Sequence, residues 1–231
     1  MEPKELQSRG DMILVKPAEK LQYLLDQCSS VDDIKELAKS FDAVAKLYDD
    51  QANHADAEIC YFVAIRLMNL YLPPNDPALA TEYARLSAHY GQSNQGQLAR
   101  QANLRALRIY QANNDEYVLE LAVTEYNQAW LELYVGKRKT AEFYLKHCLK
   151  LLKSALGERH VLVGLISNSL GELYMVDENF VAAKKQLRSA LDILPQNADT
   201  EEVTKYIRSN YALVLQKLRT KSEKIVQGQI K

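Results

Sequence analysis

The sequence is poor in the residues that interrupt helices. Eight Gly and six Pro are few for a chain of 231 residues, and helix-favouring Ala, Leu, Lys, Glu and Gln dominate many stretches. Apolar residues make up 47% and charged residues 26% of the chain, which excludes disorder throughout. These proportions predict long helices joined by short connections.

Cysteine and long apolar runs are also scarce. The three cysteines, Cys28, Cys60 and Cys148, are odd in number and widely spaced, which argues against a disulfide framework and for a reducing compartment. No apolar run reaches the length of a membrane span, and residues 1–5 lack the apolar core of a signal peptide. We therefore expect a cytoplasmic protein without a membrane span.

Motifs of catalysis and cofactor binding are missing from the sequence. It contains no P-loop, GxGxxG or GxSxG pattern, and paired carboxylates carry no sign of acid–base partnership. The four histidines are scattered and lack metal-ligand spacing: His54, His89, His147 and His160. The net charge is −1, and the sequence contains no motif of basic residues that would recognise a nucleic acid. We expect a protein that is not an enzyme, with no cofactor, no metal and no nucleic-acid partner.

Small residues recur at a strict period of 42 residues. Three positions of the period hold them four times each: Ala45, Ser87, Ala129 and Gly171; Ala57, Ala99, Ala141 and Ala183; Ala64, Ala106, Cys148 and Ala190. A fourth position holds Tyr48, Tyr90 and Tyr174, with Glu132 as its exception. Because antiparallel helices approach closely only where side chains are small, the period predicts stacked helical hairpins.

The small–large spacing resembles the tetratricopeptide repeat (TPR), and it is clearest over residues 170–195. A 42-residue period, with Asn127-Gln128-Ala129 and Gly136-Lys137 in the third repeat, is similar to the kinesin-light-chain type. The resemblance covers roughly residues 37–218. It implies an all-α, right-handed superhelical solenoid of antiparallel hairpins that binds other proteins.

Breaks in the pattern divide the chain. We predict a flexible lead-in (1–17), then one repeat domain (18–223), and a frayed tail (224–231). Within the domain, an N-terminal helix over 18–28 is followed by four repeats, about 31–72, 77–112, 116–155 and 159–195, and by a capping helix over 200–223. Capping signals mark three boundaries: Ser30 with Asp33, Asp76 before Pro77, and Gly157.

The first helix of each repeat should line the inner wall of such an array. From the register we expect these exposed positions: Lys39, Asp42, Lys46, Asp49 and Asp50; Thr81, Arg85, Ala88 and Gln92; Val123, Tyr126, Asn127, Trp130, Leu133 and Tyr134; Asn168, Ser169, Glu172, Met175 and Val176; Ser209, Asn210, Leu213 and Lys217. The third repeat places the single Trp beside two Tyr, as interface anchors often are. Two alternatives are that a rotated helix buries these aromatics in the core, or that they pack on the terminal helix.

The resemblance also implies how a partner would be held. In kinesin-light-chain-like grooves, Asn of the first helix grips a peptide backbone, and Asn127 and Asn210 match that position. Asn168 lies one residue before it, while Ala43 and Arg85 occupy it in repeats one and two. We therefore predict an adaptor or scaffold that binds a protein segment in the concave groove of repeats three to five. The predicted binding residues are Tyr126, Asn127, Trp130, Tyr134, Asn168, Glu172, Met175 and Asn210.

The other interpretation is a structural subunit of a larger complex, in contact through its convex faces and ends. Self-association through the ends of the array is a further possibility under either interpretation.

Overall fold

Helices make up almost all of the described chain. The computed structural model describes residues 26, 28–113, 116–194 and 200–226, with side chains described to residue 223. These residues contain no strand, and their helices are α1 (Val31–Asp50), α2 (His54–Tyr71), α3 (Pro77–Gln92), α4 (Gly96–Ala112), α5 (Val118–Tyr134), α6 (Arg138–Leu156), α7 (Val161–Val176), α8 (Phe180–Ile193) and α9 (Glu201–Val226). The prediction of an all-α repeat fold is confirmed.

The order and bounds of the helices follow the predicted period. Each of the four repeats holds two helices joined by a three-residue turn. One residue of each turn has a left-handed backbone: Ala52 (φ 57°), Asn94 (φ 57°), Gly136 (φ 77°) and Glu178 (φ 55°). These four residues also lie 42 apart, so the period governs the backbone of the turns as well as the packing.

The ends of the predicted domain are only partly described. The lead-in over 1–17 lies outside the described residues, as does the N-terminal helix over 18–28 apart from residues 26 and 28. The last helix, α9, continues to Val226, three residues past its predicted end. Residues 227–231 of the predicted tail are outside the described part.

All three predicted capping signals are confirmed. Ser30 and Asp33 form a reciprocal capping box at the start of α1. Asp76 Oδ1 accepts a hydrogen bond from the Ala78 amide at 2.8 Å, and Gly157 ends α6 with a φ of 87°. Each cap satisfies backbone groups that a helix end leaves unpaired, so these helix boundaries are set by local sequence.

The chain divides into two compact units, the first ending at Tyr134 and the second beginning at Val135. In the first unit α1 packs on α2, α2 on α3, α3 on α4 and α4 on α5. In the second, α6 packs on α7, α7 on α8 and α8 on α9. None of the described helices combines the length and low charge needed to cross a membrane.

Small residues sit where the helices pack, as predicted. All twelve are buried, and the alanines among them are fully so. At Gly171, a Cβ atom would lie 2.7 Å from the Leu187 side chain. Such proximity explains why these positions exclude bulky side chains.

Candidate partner-binding surface

Helix α5 places polar side chains inside and apolar ones outside. Its buried residues are Leu121, Ala122, Thr124, Glu125, Gln128, Ala129 and Glu132. Its exposed large apolar residues are Leu119, Val123, Trp130 and Tyr134. Asn127 is exposed on the same face, at helical spacing from Val123 and Trp130. Four of the seven buried side chains are polar, which is unusual for the packed face of an amphipathic helix.

A ladder of hydrogen bonds joins the buried face of α5 to α4. Asn103 Nδ2 donates to the Thr124 carbonyl at 2.9 Å and to Gln128 Oε1 at 3.0 Å. Gln128 Nε2 donates to Glu132 Oε1 at 2.6 Å, and Arg100 Nε donates to the same oxygen at 2.7 Å. We call these five residues the α4–α5 ladder.

The α4–α5 ladder fixes how α5 is rotated. Turning α5 to bury its aromatic side would leave Asn103 and Glu132 desolvated without their partners, at a cost of a few kcal/mol. Trp130 is 43% exposed and Tyr134 is 64% exposed. The alternative in which a rotated helix buries these aromatics in the core is therefore wrong.

Two contacts order the aromatic side chains on this face. Tyr126, half-buried, meets Trp130 edge-to-face with ring centroids 6.1 Å apart. The ring of Tyr134 lies on Gly96, where a Cβ atom would be 2.4 Å from Tyr134 Cε1. Aromatic side chains held in this way lose little freedom when they bind a partner.

The ladder also explains the exception at Glu132. Tyr90 donates to Glu58 Oε1 at 2.6 Å, and Tyr174 donates to Glu142 Oε1 at 2.7 Å. One period after Glu58 and Tyr90, the same two positions hold Arg100 of α4 and Glu132 of α5, which form an ion pair at 2.7 Å. The Tyr–Glu bond is thus replaced by an Arg–Glu pair. Sequence analysis missed this exchange, although Glu58, Arg100 and Glu142 occupy one position of the period.

The corresponding faces of α1 and α3 are different in chemistry. Four positions of each helix match Val123, Asn127, Trp130 and Tyr134 by the period. They hold Lys39, Ala43, Lys46 and Asp50 in α1, and Thr81, Arg85, Ala88 and Gln92 in α3. In the first unit, the large apolar side chains at these positions all belong to α5.

Two predicted surface positions of α1 are wrong. Asp42 and the Asp49 side chain are buried, because groups on α3 bind them. Arg85 Nη1 contacts Asp42 Oδ2 and lies 2.8 Å from Glu82 Oε1. Burial of Glu82 and its hydrogen bond with Asp42 raise the pKa of Glu82 to about 9. The raised pKa favours the protonated form of Glu82 in the folded chain at neutral pH.

The prediction of an exposed side chain is also wrong for two residues of the second unit. Asn168 and Ser169 are buried, and Asn168 Nδ2 donates to Glu172 Oε1 at 2.8 Å. The amide donor of Asn168 is therefore engaged within its own helix. Met175 and Asn210 are partly buried.

Comparison with known proteins supports the fold. The chain matches no protein-family model and no curated protein. It is similar to the crystal structure of BtubC (BKLC) from P. vanneervenii, with a TM-score of 0.74 and 20% identity over 92% of this chain and 84% of that one. It is also similar to a putative kinesin light chain from Podosopora anserina with nearly identical TPR-like repeats. That match has a TM-score of 0.66 and 14% identity over 82% of this chain and 90% of that one. The chain therefore has a TPR-like helical repeat fold.

Proposed function

We propose that this protein is a non-enzymatic interaction scaffold that binds a segment of a partner protein on the exposed face of α5. TPR-like folds are protein-interaction folds in general. The observation that carries the proposal is that the α4–α5 ladder holds Trp130 and its neighbours outward. A monomer that uses buried polar groups to expose aromatics has a surface suited to a partner.

The α5 face offers two kinds of contact. Trp130, Tyr126 and Val123 supply apolar area that a partner's aliphatic or aromatic side chains would cover. Asn127, exposed among them, can donate to and accept from an extended peptide backbone. Together they suit a short extended segment with apolar side chains.

The proposed surface consists of residues from the first unit alone: Val123, Tyr126, Asn127, Trp130 and Tyr134. Asn168 and Glu172 are left out because they bond to each other. Met175 and Asn210 stay predicted binding residues of the second unit. The predicted groove over repeats three to five also stays a prediction.

A structural subunit is the second candidate function. Its support is Phe143, which lies on α6, the second helix of the third repeat. Phe143 is 62% exposed, and its ring stacks on His147 with the ring centroids 6.2 Å apart. Val181 on α8 is also exposed. Exposed apolar residues on second helices would be buried if those helices packed in a larger assembly.

Exposed aromatics on α5 and α6 provide a matched test. Wild type, Trp130→Ala and Phe143→Ala would be immobilised and used to capture proteins from an extract of the source cells. We expect Trp130→Ala to lose partners that Phe143→Ala retains. Loss with Phe143→Ala alone would support the structural subunit. Equal recovery by all three would contradict the α5 surface.

Fluorescence provides an independent measure, because Trp130 is the single Trp. We expect iodide to quench Trp130 in the free protein and to quench it less once a captured partner is added. Trp130→Ala should alter the free energy of unfolding by only about 1 kcal/mol, because the side chain is 43% exposed and lies outside the core. Lost capture would then report the surface and not the fold.

A further inference from the structure

Three polar side chains meet where the first two hairpins join. Asp49 lies near the end of α1, His54 begins α2 and His89 lies in α3. Asp49 Oδ1 is 2.7 Å from His89 Nδ1 and 3.0 Å from His54 Nδ1. The expectation that the histidines are scattered is therefore wrong for this pair, whose ring centroids are 5.8 Å apart.

The three potential ligand atoms converge on one point. One nitrogen of each imidazole and one oxygen of Asp49 lie within 4.8 Å of one another. His89 has a fully buried side chain, and that of Asp49 is 5% exposed. His54 is 37% exposed in its side chain, so solvent reaches the cluster from its side.

Tyr61 orients the carboxylate. Its hydroxyl donates to Asp49 Oδ2 at 3.2 Å, which leaves Oδ1 directed at the two imidazoles. Carboxylates that bind a metal are typically held in position by a hydrogen bond of this kind to their other oxygen.

The repeat architecture does not require this cluster. One period later, the positions of Asp49, His54 and His89 hold Gly91, Gly96 and Leu131, none of which offers a side-chain ligand. An imidazole and a carboxylate are nevertheless buried side by side at this junction, as His89 and Asp49. Burying such groups costs stability unless another interaction offsets it.

We propose that Asp49, His54 and His89 form a binding site for a divalent transition-metal ion of the zinc class. Two imidazole nitrogens and one carboxylate oxygen are ligands that Zn²⁺ prefers, and water would take the fourth position on the exposed His54 side.

Metal entry needs little rearrangement. Bonds of about 2.0–2.2 Å in a tetrahedral site place neighbouring ligand atoms roughly 3.4 Å apart. The present separations of 2.7 and 3.0 Å must therefore widen by about half an ångström. His54, at the first position of α2 and partly exposed, can move away from Asp49, whereas His89 and Asp49 must separate within the core. Each imidazole would bind the ion through Nδ1 and carry its proton on Nε2.

A bound ion would connect α1, α2 and α3. Because the unfolded chain lacks the assembled site, binding would stabilise the first two hairpins by an amount that rises with the metal concentration. The site is separate from the α5 face and does not depend on the proposed function.

Metal titration of the full chain tests the proposal. After treatment with a chelator, wild type would be titrated with Zn²⁺ alone by calorimetry, and its unfolding temperature measured with and without the ion. We expect one equivalent to bind and the unfolding temperature to rise. Absence of binding at micromolar Zn²⁺ would overturn the proposal.

Variants identify the ligands. His54→Ala removes a partly exposed ligand without opening the core, and we expect at least about 100-fold weaker binding. His160→Asn, whose new side chain can still cap α7, is the matched control and should bind as wild type does. Equal binding by wild type and His54→Ala would refute the site.

Cobalt separates this site from the cysteines. Co²⁺ held by nitrogen and oxygen ligands gives visible absorption without the strong near-ultraviolet band of a thiolate ligand. We expect that spectrum in wild type, in a Cys28→Ser variant and in His160→Asn, and its loss in His54→Ala. A thiolate band that disappears with Cys28→Ser would assign the metal to Cys28 and overturn the proposal.

Discussion

Helices α3 and α5 hold the same place in successive hairpins but bury different side chains. Four buried positions correspond by the period. They hold Leu79, Tyr83, Leu86 and Tyr90 in α3, and Leu121, Glu125, Gln128 and Glu132 in α5. Three large apolar residues are thus replaced by polar ones without loss of the helix or its packing partner.

The difference shows which parts of the repeat are constrained. Small residues are needed wherever two backbones approach closely, as at Ser87 and Ala129. The larger buried positions accept either apolar packing or hydrogen bonds, provided that the preceding helix supplies matching groups. Helix α4 does so through Asn103 and Arg100. With its polar face directed inward, α5 keeps an apolar face for a partner.

The largest expected effect comes from breaking the Arg–Glu pair of α5. Arg100→Glu would place two carboxylates together beside Gln128, and we expect a loss of about 2–3 kcal/mol in the free energy of unfolding. Adding Glu132→Tyr recreates the Glu–Tyr arrangement of α2 and α3, and should recover most of that loss. Urea denaturation of wild type, both single variants and the double variant measures the coupling.

Additivity would contradict the comparison. If Arg100→Glu and Glu132→Tyr had independent effects, the two positions would not form an exchangeable pair, and the ladder would not explain the rotation of α5. Recovery that stays incomplete is consistent with the exchange, since Gln128 loses its acceptor in the double variant.

A smaller effect concerns the buried glutamate of α3. Its pKa of about 9 lies above the ordinary 4.5 because burial and Asp42 favour the protonated form. Between these values the folded chain holds a proton that the unfolded chain has released, so this group makes stability fall as pH rises. Glu82→Gln should remove that dependence, so it should stabilise the protein relative to wild type by an amount that grows as pH rises from about 6 to about 8.5.

Urea denaturation at about pH 6 and pH 8.5 checks the sign of this effect. Glu36→Gln, on the exposed side of α1, is the control. It should leave the free energy of unfolding nearly unchanged at both pH values. If Glu82→Gln destabilised the protein equally at both pH values, Glu82 would act as a charged partner of Arg85 instead of a proton holder.

The smallest expected effect lies in the turns. Those after α3 and α5 carry Asn94 and Gly136, which tolerate a left-handed backbone, whereas the turn after α1 carries Ala52 at a φ of 57°. Ala52→Gly should stabilise the protein by about 0.5 kcal/mol, because relief of strain exceeds the added freedom of the unfolded chain. Asn94→Gly should alter thermal stability less, and a larger gain there would contradict the comparison.

Sequence alone settled the features that depend on close approach or on local hydrogen bonds. The period of small residues predicted the hairpins because a bulky side chain cannot fit where two helices touch. Ser30, Asp76 and Gly157 predicted helix ends because each cap acts on backbone within a few residues. The register favoured an exposed Trp130 but left open a rotated helix that buries it, and the α4–α5 ladder decided between the two.

Tertiary structure decided where polar groups meet across helices. In the sequence, Glu132 is an unexplained exception to the Tyr of the other repeats. The structure explains it, because Arg100, 32 residues earlier in the chain, donates a hydrogen bond to it. Asp42 and Asp49 have the register of surface residues, yet groups on α3 bury them. His89 lies beside His54 although 35 positions separate them in the chain, so no short sequence motif predicts their contact. A period reports which positions must be small, because sterics act at every repeat. It does not report partners, because a hydrogen bond or a metal site depends on side chains that differ between repeats.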